Sequence, residues 1–344
     1  MTPPHLGSMT TARLTHWARD AGASPGAASV LAKQLVGRFA GRTTSGNVAR
    51  ALLAAAASLA EDVPFATPVA DPDGTLRYAL RLRDGQLVEA VSIPHGARTT
   101  VCLSTQVGCA RACVFCETGR LGLTRQLRAE EMTGQFAAVA RDLDRRGHRP
   151  PTNVVFMGMG EPLDNLDAVL DAAAVLADDN GFAIAQRRIT VSTVGVVPKL
   201  RELYSRSNVR VAVSLHAAND ATRMALLPVA RTWNLAALRA AIAESPRTVL
   251  LQWTLIAGVN DGERDADELV TFALGLDVRV NLIPLNPGPD AGLRAPILAE
   301  VRAFQRRLAD AGVRVMVRLP HGLQVGGACG QLAGAHRGLS VITT

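Results

Sequence analysis

From Thr99 onward, short apolar runs alternate with stretches whose apolar residues return at helical spacing. The runs TTVCLSTQ, TNVVFMGM, RRITVSTV, VRVAVSLHA, TVLLQWTLI and VRVNLIPLN read as strands, each bounded by turn residues. Helices are expected near 129–145, 166–178 and 197–204, after Asp220 and Asn234, and near 265–275 and 295–311. Six strand-helix units, followed by a last run VRVMVRLP from Val313, predict an α/β fold: a parallel sheet curled into a partial (β/α)6 barrel.

Upstream the pattern differs. Leu76 to Leu82 and Gln86 to Ile93 alternate apolar and polar residues around Asp84-Gly85, which predicts a β-hairpin. PVADPDGT, from Pro68 to Thr75, has the composition of a linker. Before it, Thr11–Asp20, Ala27–Phe39 and Asn47–Leu59 read as short helices. The expected organisation is a small basic helical domain over 1–70, a linker and hairpin over 71–98, and the barrel over 99–344, ending in a cysteine-bearing loop.

Composition narrows the class. With 344 residues, 48% hydrophobic and 19% charged, the chain can bury a large core and is neither disordered nor membrane-like. The longest apolar run, Ala51 to Ala60, is too short to span a bilayer, and no apolar signal segment follows the first residues, so a cytoplasmic location is expected. Lys and Arg outnumber Asp and Glu by 37 to 30, and up to residue 60 six basic residues face the single acid Asp20. That balance favours a polyanionic partner, although an Arg-rich composition alone also produces it.

Cysteine supplies the candidate chemistry. Four of the five cysteines lie in CLSTQVGCARACVFC, and Cys109, Cys113 and Cys116 form C-x3-C-x2-C on the loop after the first barrel strand. An odd count in a cytosolic context points to metal or redox chemistry rather than a disulfide framework. Three thiolates suit a 4Fe-4S cluster with one iron left open; a zinc site would need a distant fourth ligand. Glu161, Ser192, Ser214, His216 and Asn286 each fall at or just past the C-terminal end of an expected strand, the rim where β/α barrels carry their active sites. Singly, each is also an ordinary turn or cap residue.

The C-x3-C-x2-C spacing on the first strand-loop of a barrel resembles the radical S-adenosylmethionine (SAM) superfamily. That resemblance implies a 4Fe-4S cluster on Cys109, Cys113 and Cys116, with SAM held on the open iron and cleaved to a 5'-deoxyadenosyl radical. Further blocks, VEAVSIP, CLSTQVGCARACVFCETGRLGLTRQL, FMGMGEPLDN, RRITVSTVGVVP, VSLHAAND, GVNDG, NLIPLNP and ACGQLAG, resemble the RlmN/Cfr family of radical SAM RNA methyltransferases.

By resemblance, SAM contacts fall on Gly160, Glu161, Ser192, Ser214, Leu215, His216 and Asn286. Cys329 accepts a methyl group and carries it as a thiomethylene radical to an adenine carbon, Glu89 removes the ring proton, and Cys102 attacks the Cys329 sulfur to release product through a transient disulfide. Radical chemistry suits such a target, because an electron-poor ring carbon cannot displace a methyl group from SAM. The implied partners are an RNA substrate, 23S ribosomal RNA with tRNA as a further candidate, and a reductase system for cluster and disulfide. GMGEP favours adenine C2; C8, another substrate, and a zinc-stabilised RNA-binding module are the alternatives.

Two departures from the family stand out. The first 75 residues lack the aromatic-and-basic helical signature of the ribosomal branch. Gly326 and Gly327 replace acidic residues common in relatives, making the Cys329 loop more permissive.

Overall fold

The fold is given by a computed structural model that describes residues 5–42, 56–57, 59, 61, 63–286, 288 and 292–332. The helix expected over Asn47–Leu59 falls almost wholly outside these residues, as do Pro287, Ala333 and Gly334 of the quoted blocks. A ten-stranded sheet runs in the order β1 (Phe65–Ala70), β2 (Leu76–Arg81), β3 (Leu87–His95), β4 (Arg98–Leu103), β7 (Asn153–Phe156), β8 (Ile189–Thr193), β9 (Arg210–Ser214), β10 (Val249–Leu255), β11 (Val278–Pro284) and β12 (Val315–Val317). β1 to β4 pair antiparallel, and β4 through β12 pair parallel. A separate ribbon of β5 (Gln106–Cys109) and β6 (Gly122–Gln126) flanks the cysteine loop, which includes the short α3 (Glu117–Arg120).

Parallel pairing demands crossover segments, and the sequence supplies them as helices: α4 (Ala129–Arg145), α5 (Leu166–Ala177), α6 (Val197–Arg206), α7 (Asp220–Leu226), α8 (Leu235–Ala243), α9 (Glu263–Ala273) and α10 (Leu298–Asp310). Their caps are written locally. Asn219 and Asn234 accept the amide protons of Thr222 and Ala237 at 2.8 and 3.0 Å, each satisfying a free N–H of a first turn. Val154, Val191, Val213, Leu251, Trp253, Val280 and Leu282 place the core between the strands and these helices.

At the N-terminus α1 (Thr11–Asp20) and α2 (Pro25–Phe39) bury Leu14, Leu31, Leu35, Val36 and Phe39 in a small core of their own, closed by Ala137 of α4. Thr11 docks onto the loop after α5, its N–H and Oγ1 donating to the Asp178 carboxylate at 2.6 and 2.8 Å.

One expectation is corrected. The linker expected from Pro68 begins inside β1, which extends the hairpin to three strands, and only the turn from Asp71 to Thr75 is loop. The strand character is hidden because FATPVA carries a proline and no clean alternation; Pro68 is tolerated because β1 lies at the sheet edge.

The antiparallel register brings three chemically distinct side chains to one face. Arg77 pairs with Val91, Val91 with Cys102, and Cys102 with Val155, one line across four strands. Side chains at i and i+2 share a face, so Glu89 lies on the same face as Arg77 and Cys102.

Candidate active site

The C-terminal strand ends open into a cavity of about 930 Å³, its mouth included. Cys109, Cys113 and Cys116 line one wall; Gly160, Glu161, Ser192, Ser214, His216 and Asn286 line the rest, and Cys329 reaches it from the C-terminal loop. A second cavity, about 730 Å³ with its opening, lies beside it and is lined by both Cys102 and Cys329, with Ile93, Met157, Arg318 and His321. Cys329 thus stands at the boundary of both cavities.

The three clustered thiols are all pushed up by burial, Cys109 to about 11, and Cys113 is raised further by its two neighbours. Bare thiols packed this way resist ionisation until a cation or cluster takes them as thiolates. Among the described residues no three His, Cys, Asp or Glu side chains converge closely enough to hold a single ion. Three soft thiol donors on one loop are a donor set that a 4Fe-4S cluster would take as thiolates, whereas a structural zinc would need a fourth ligand from elsewhere.

Backbone geometry shapes the opposite wall. Gly160 has φ +102°, and a Cβ there would stand 2.6 Å from the Gln106 side chain, so only glycine fits. Gln106 Oε1 in turn accepts the Glu161 N–H at 2.8 Å. The Glu161 carboxylate accepts the amide protons of Leu163 and Val194 at 3.0 and 2.9 Å. Burial pushes its carboxyl up to about 7, against the lowering effect of these hydrogen bonds.

His216, at φ +57°, is pinned by Asn260, whose Nδ2 donates to its carbonyl at 2.7 Å, and by the Thr254 N–H, which donates to its Nδ1 at 2.9 Å. Burial, reinforced by Arg223, lowers it to about 3, so it stays neutral and its Nδ1 is an acceptor. Asn286 Nδ2 donates to the Cys329 carbonyl at 3.1 Å, while its Oδ1 is buried without a hydrogen-bond partner. An orphaned acceptor in this wall is what a polar cofactor would satisfy.

The structure does not bring every expected residue to the wall. Leu215 is fully buried away from the cavity; its N–H donates to Gln252 O and its carbonyl accepts Arg223 Nε, so it anchors the rim through its backbone. Glu89 lines neither cavity. It is fully buried, with Oε1 3.2 Å from Arg77 Nη1, and Arg77 packs under the Cys329 loop, its Nη1 3.3 Å from where a Gly326 Cβ would stand. Cys102 is buried, and its thiol is pushed up to about 12 by burial and then by the neighbouring Cys329 sulfur. The two are unbridged thiols here.

Sequence reasoning misses Gln252. Its Oε1 accepts the Ser192 hydroxyl at 3.1 Å and its carbonyl receives the Leu215 and His216 amide protons, so it holds two loops of the wall. A signal exists: it is the lone polar residue between the threonines of TVLLQWTLI. Arg111 is missed as well; it lines the cavity and ion-pairs with Asp164.

A barrel rim with three clustered thiols and a glycine-floored cofactor wall defines a radical SAM enzyme, and the model of that superfamily matches residues 103–270. A radical SAM methyltransferase of Sphaerobacter thermophilus has a similar solved structure, at TM-score 0.87 and 38% identity over 96% of this chain and 99% of that one. A dual-specificity RNA methyltransferase RlmN of Syntrophobacter fumaroxidans is 48% identical over 76% of this chain and 77% of its own. A probable RNA methyltransferase of Sorangium cellulosum is 51% identical over 77% of this chain and 67% of its own. The chain belongs to the RlmN family of radical SAM RNA methyltransferases. Among the described residues no helix is long and apolar enough to cross a membrane.

Proposed function

We propose that this enzyme methylates an adenine ring carbon, C2, in ribosomal RNA and in tRNA, using Cys329 as a covalent carrier. The supporting observation is the position of Cys329 between two cavities, one shared with the clustered cysteines and the other with Cys102.

Cys109, Cys113 and Cys116 would hold a 4Fe-4S cluster, and Gly160, Glu161, Ser192, Ser214, His216 and Asn286 would hold SAM. Cluster and SAM together supply the radical chemistry that an unactivated methyl group requires. The chain's own residues do the rest. Cys329 takes the methyl group on the side facing the cluster wall and presents it to the base on the side facing Cys102. Glu89, by resemblance the group that takes the proton displaced from the ring, is buried beside Arg77 outside both cavities, so the Cys329 loop that covers Arg77 has to move before a base can reach it. Cys102, as thiolate, then attacks the Cys329 sulfur; the bond from that sulfur to the methylene carbon breaks as the sulfur-sulfur bond forms, its electron pair passes to the carbon and into the ring, the carbon takes up a proton to become the methyl group, and a reductase system outside the chain restores both thiols. Cys102 is a thiol as packed here, so loop movement or a base must precede its attack.

The reading is tested by expressing the protein in a host lacking its own enzyme and analysing RNA nucleosides by mass spectrometry. The expected product is 2-methyladenosine in both RNA classes. An unaltered adenosine pool, or 8-methyladenosine alone, would overturn the assignment.

A further inference from the structure

The turn between β1 and β2 reaches across to the C-terminal loop that carries Cys329. Asp73 Oδ2 accepts the Gly322 N–H at 3.1 Å and lies 3.1 Å from His321 Nδ1, while its Oδ1 accepts the Thr75 N–H at 2.8 Å. Asp71 Oδ2 accepts the Gln324 N–H at 2.9 Å, and its Oδ1 accepts the Asp73 N–H at 3.1 Å. Gly322 then receives the Gly327 N–H on its carbonyl at 2.8 Å. On the far side of Cys329 the loop is tied to the cysteine loop: the Glu117 N–H donates to Gly330 O at 2.8 Å, and Thr118 Oγ1 donates to Leu332 O at 2.5 Å.

Between these ties, Gly326 at φ +65° and Gly330 at φ +85° bracket Cys329 with backbone that other residues adopt only under strain. The loop is therefore fastened at both feet, while its crown carries bonds within the loop, such as Gly327 N–H to Gly322 O, and one to the cavity wall, from Asn286 Nδ2 to the Cys329 carbonyl at 3.1 Å.

We infer that Asp71 and Asp73 are positioning residues that clamp the foot of the Cys329 loop, limiting its movement to the segment from Val325 to Cys329. The inference rests on the reading of Cys329 as methyl carrier and adds what holds that carrier in register between two cavities. An anchored foot confines the sulfur to a short arc, and this keeps the entropy of alignment small at each transfer. Carboxylates suit the task because a charged acceptor binds an amide proton more tightly than a neutral one. The accessory hairpin thus acts as a brace for the catalytic loop.

The test uses cluster-loaded protein under anaerobic conditions. In the double variant Asp71→Ala with Asp73→Ala, Cys329 should be alkylated by iodoacetamide about tenfold faster, and kcat for RNA methylation should fall at least about tenfold, because the carrier loses its alignment. KM for SAM should not move. Asp73→Asn, which keeps one acceptor oxygen, should fall between wild type and the double variant.

Alkylation and kcat indistinguishable from wild type overturn the inference. If the double variant does not fold, amide hydrogen exchange on the wild-type protein decides: protection at Gly322 and Gln324 is expected, and free-loop exchange there overturns the clamp. Failure of the carrier reading is separate. It would show as methylated RNA from a Cys329→Ala protein, with protection at Gly322 and Gln324 unchanged.

Discussion

Replacing Arg77 by Met tests how far the buried Arg77–Glu89 pair stabilises the fold beneath the Cys329 loop. The carboxylate is fully buried and the Arg77 side chain is 10% exposed, with Nη1 and Oε1 3.2 Å apart. Removing one member of such a pair takes the main counter-charge from the other in a low-dielectric site, at a cost of up to about 3–5 kcal/mol. Glu89→Gln does the same to the guanidinium, at a similar cost. Removing both charges together should cost only about 1 kcal/mol, because neither desolvation penalty remains. Anaerobic urea unfolding of the four proteins, followed by circular dichroism, reads the cycle. A loss below about 1 kcal/mol for Arg77→Met, or simple additivity in the double variant, would refute the pairing argument.

Three further outcomes are expected. A carboxyl raised to about 7 is protonated below that pH; if the ionised Glu161 accepts a hydrogen bond from the SAM amino group, as proposed, SAM affinity in calorimetry should rise about tenfold per unit up to about pH 7 and level above it. Glu161→Gln should flatten that profile; a flat wild-type profile contradicts the role. Asn260→Ala removes three hydrogen bonds around His216, from Nδ2 to His216 O and Thr254 O and from Ile256 N–H to Oδ1, and should cost about 2–4 kcal/mol in urea unfolding. Cys113→Ala should leave the folded protein with less iron per chain by colorimetric assay, whereas unchanged iron would remove that thiol from the cluster site.

The sheet is legible because strands sandwiched between helices leave dense apolar runs such as TVLLQWTLI, bounded by turn residues. β1 is not, since an edge strand carries little hydrophobic signal and tolerates proline. The C-x3-C-x2-C loop and rim residues such as Glu161 and Asn286 are visible from spacing and strand ends. The burial of Glu89 behind Arg77 is not, because it depends on cross-strand register, and no local pattern fixes which residue stands diagonal to which. The hold of Asp71 and Asp73 on residues 322–324 is equally hidden, since it links positions some 250 residues apart in sequence.

The central claim, that Cys329 carries the transferred carbon and Cys102 releases it, is tested most directly by the Cys102→Ala protein. After reaction with RNA and SAM under reducing, anaerobic conditions and full digestion, mass spectrometry should find an adenosine joined through one carbon to the peptide bearing Cys329. Free methylated adenosine at wild-type yield, with no such adduct, would contradict the account.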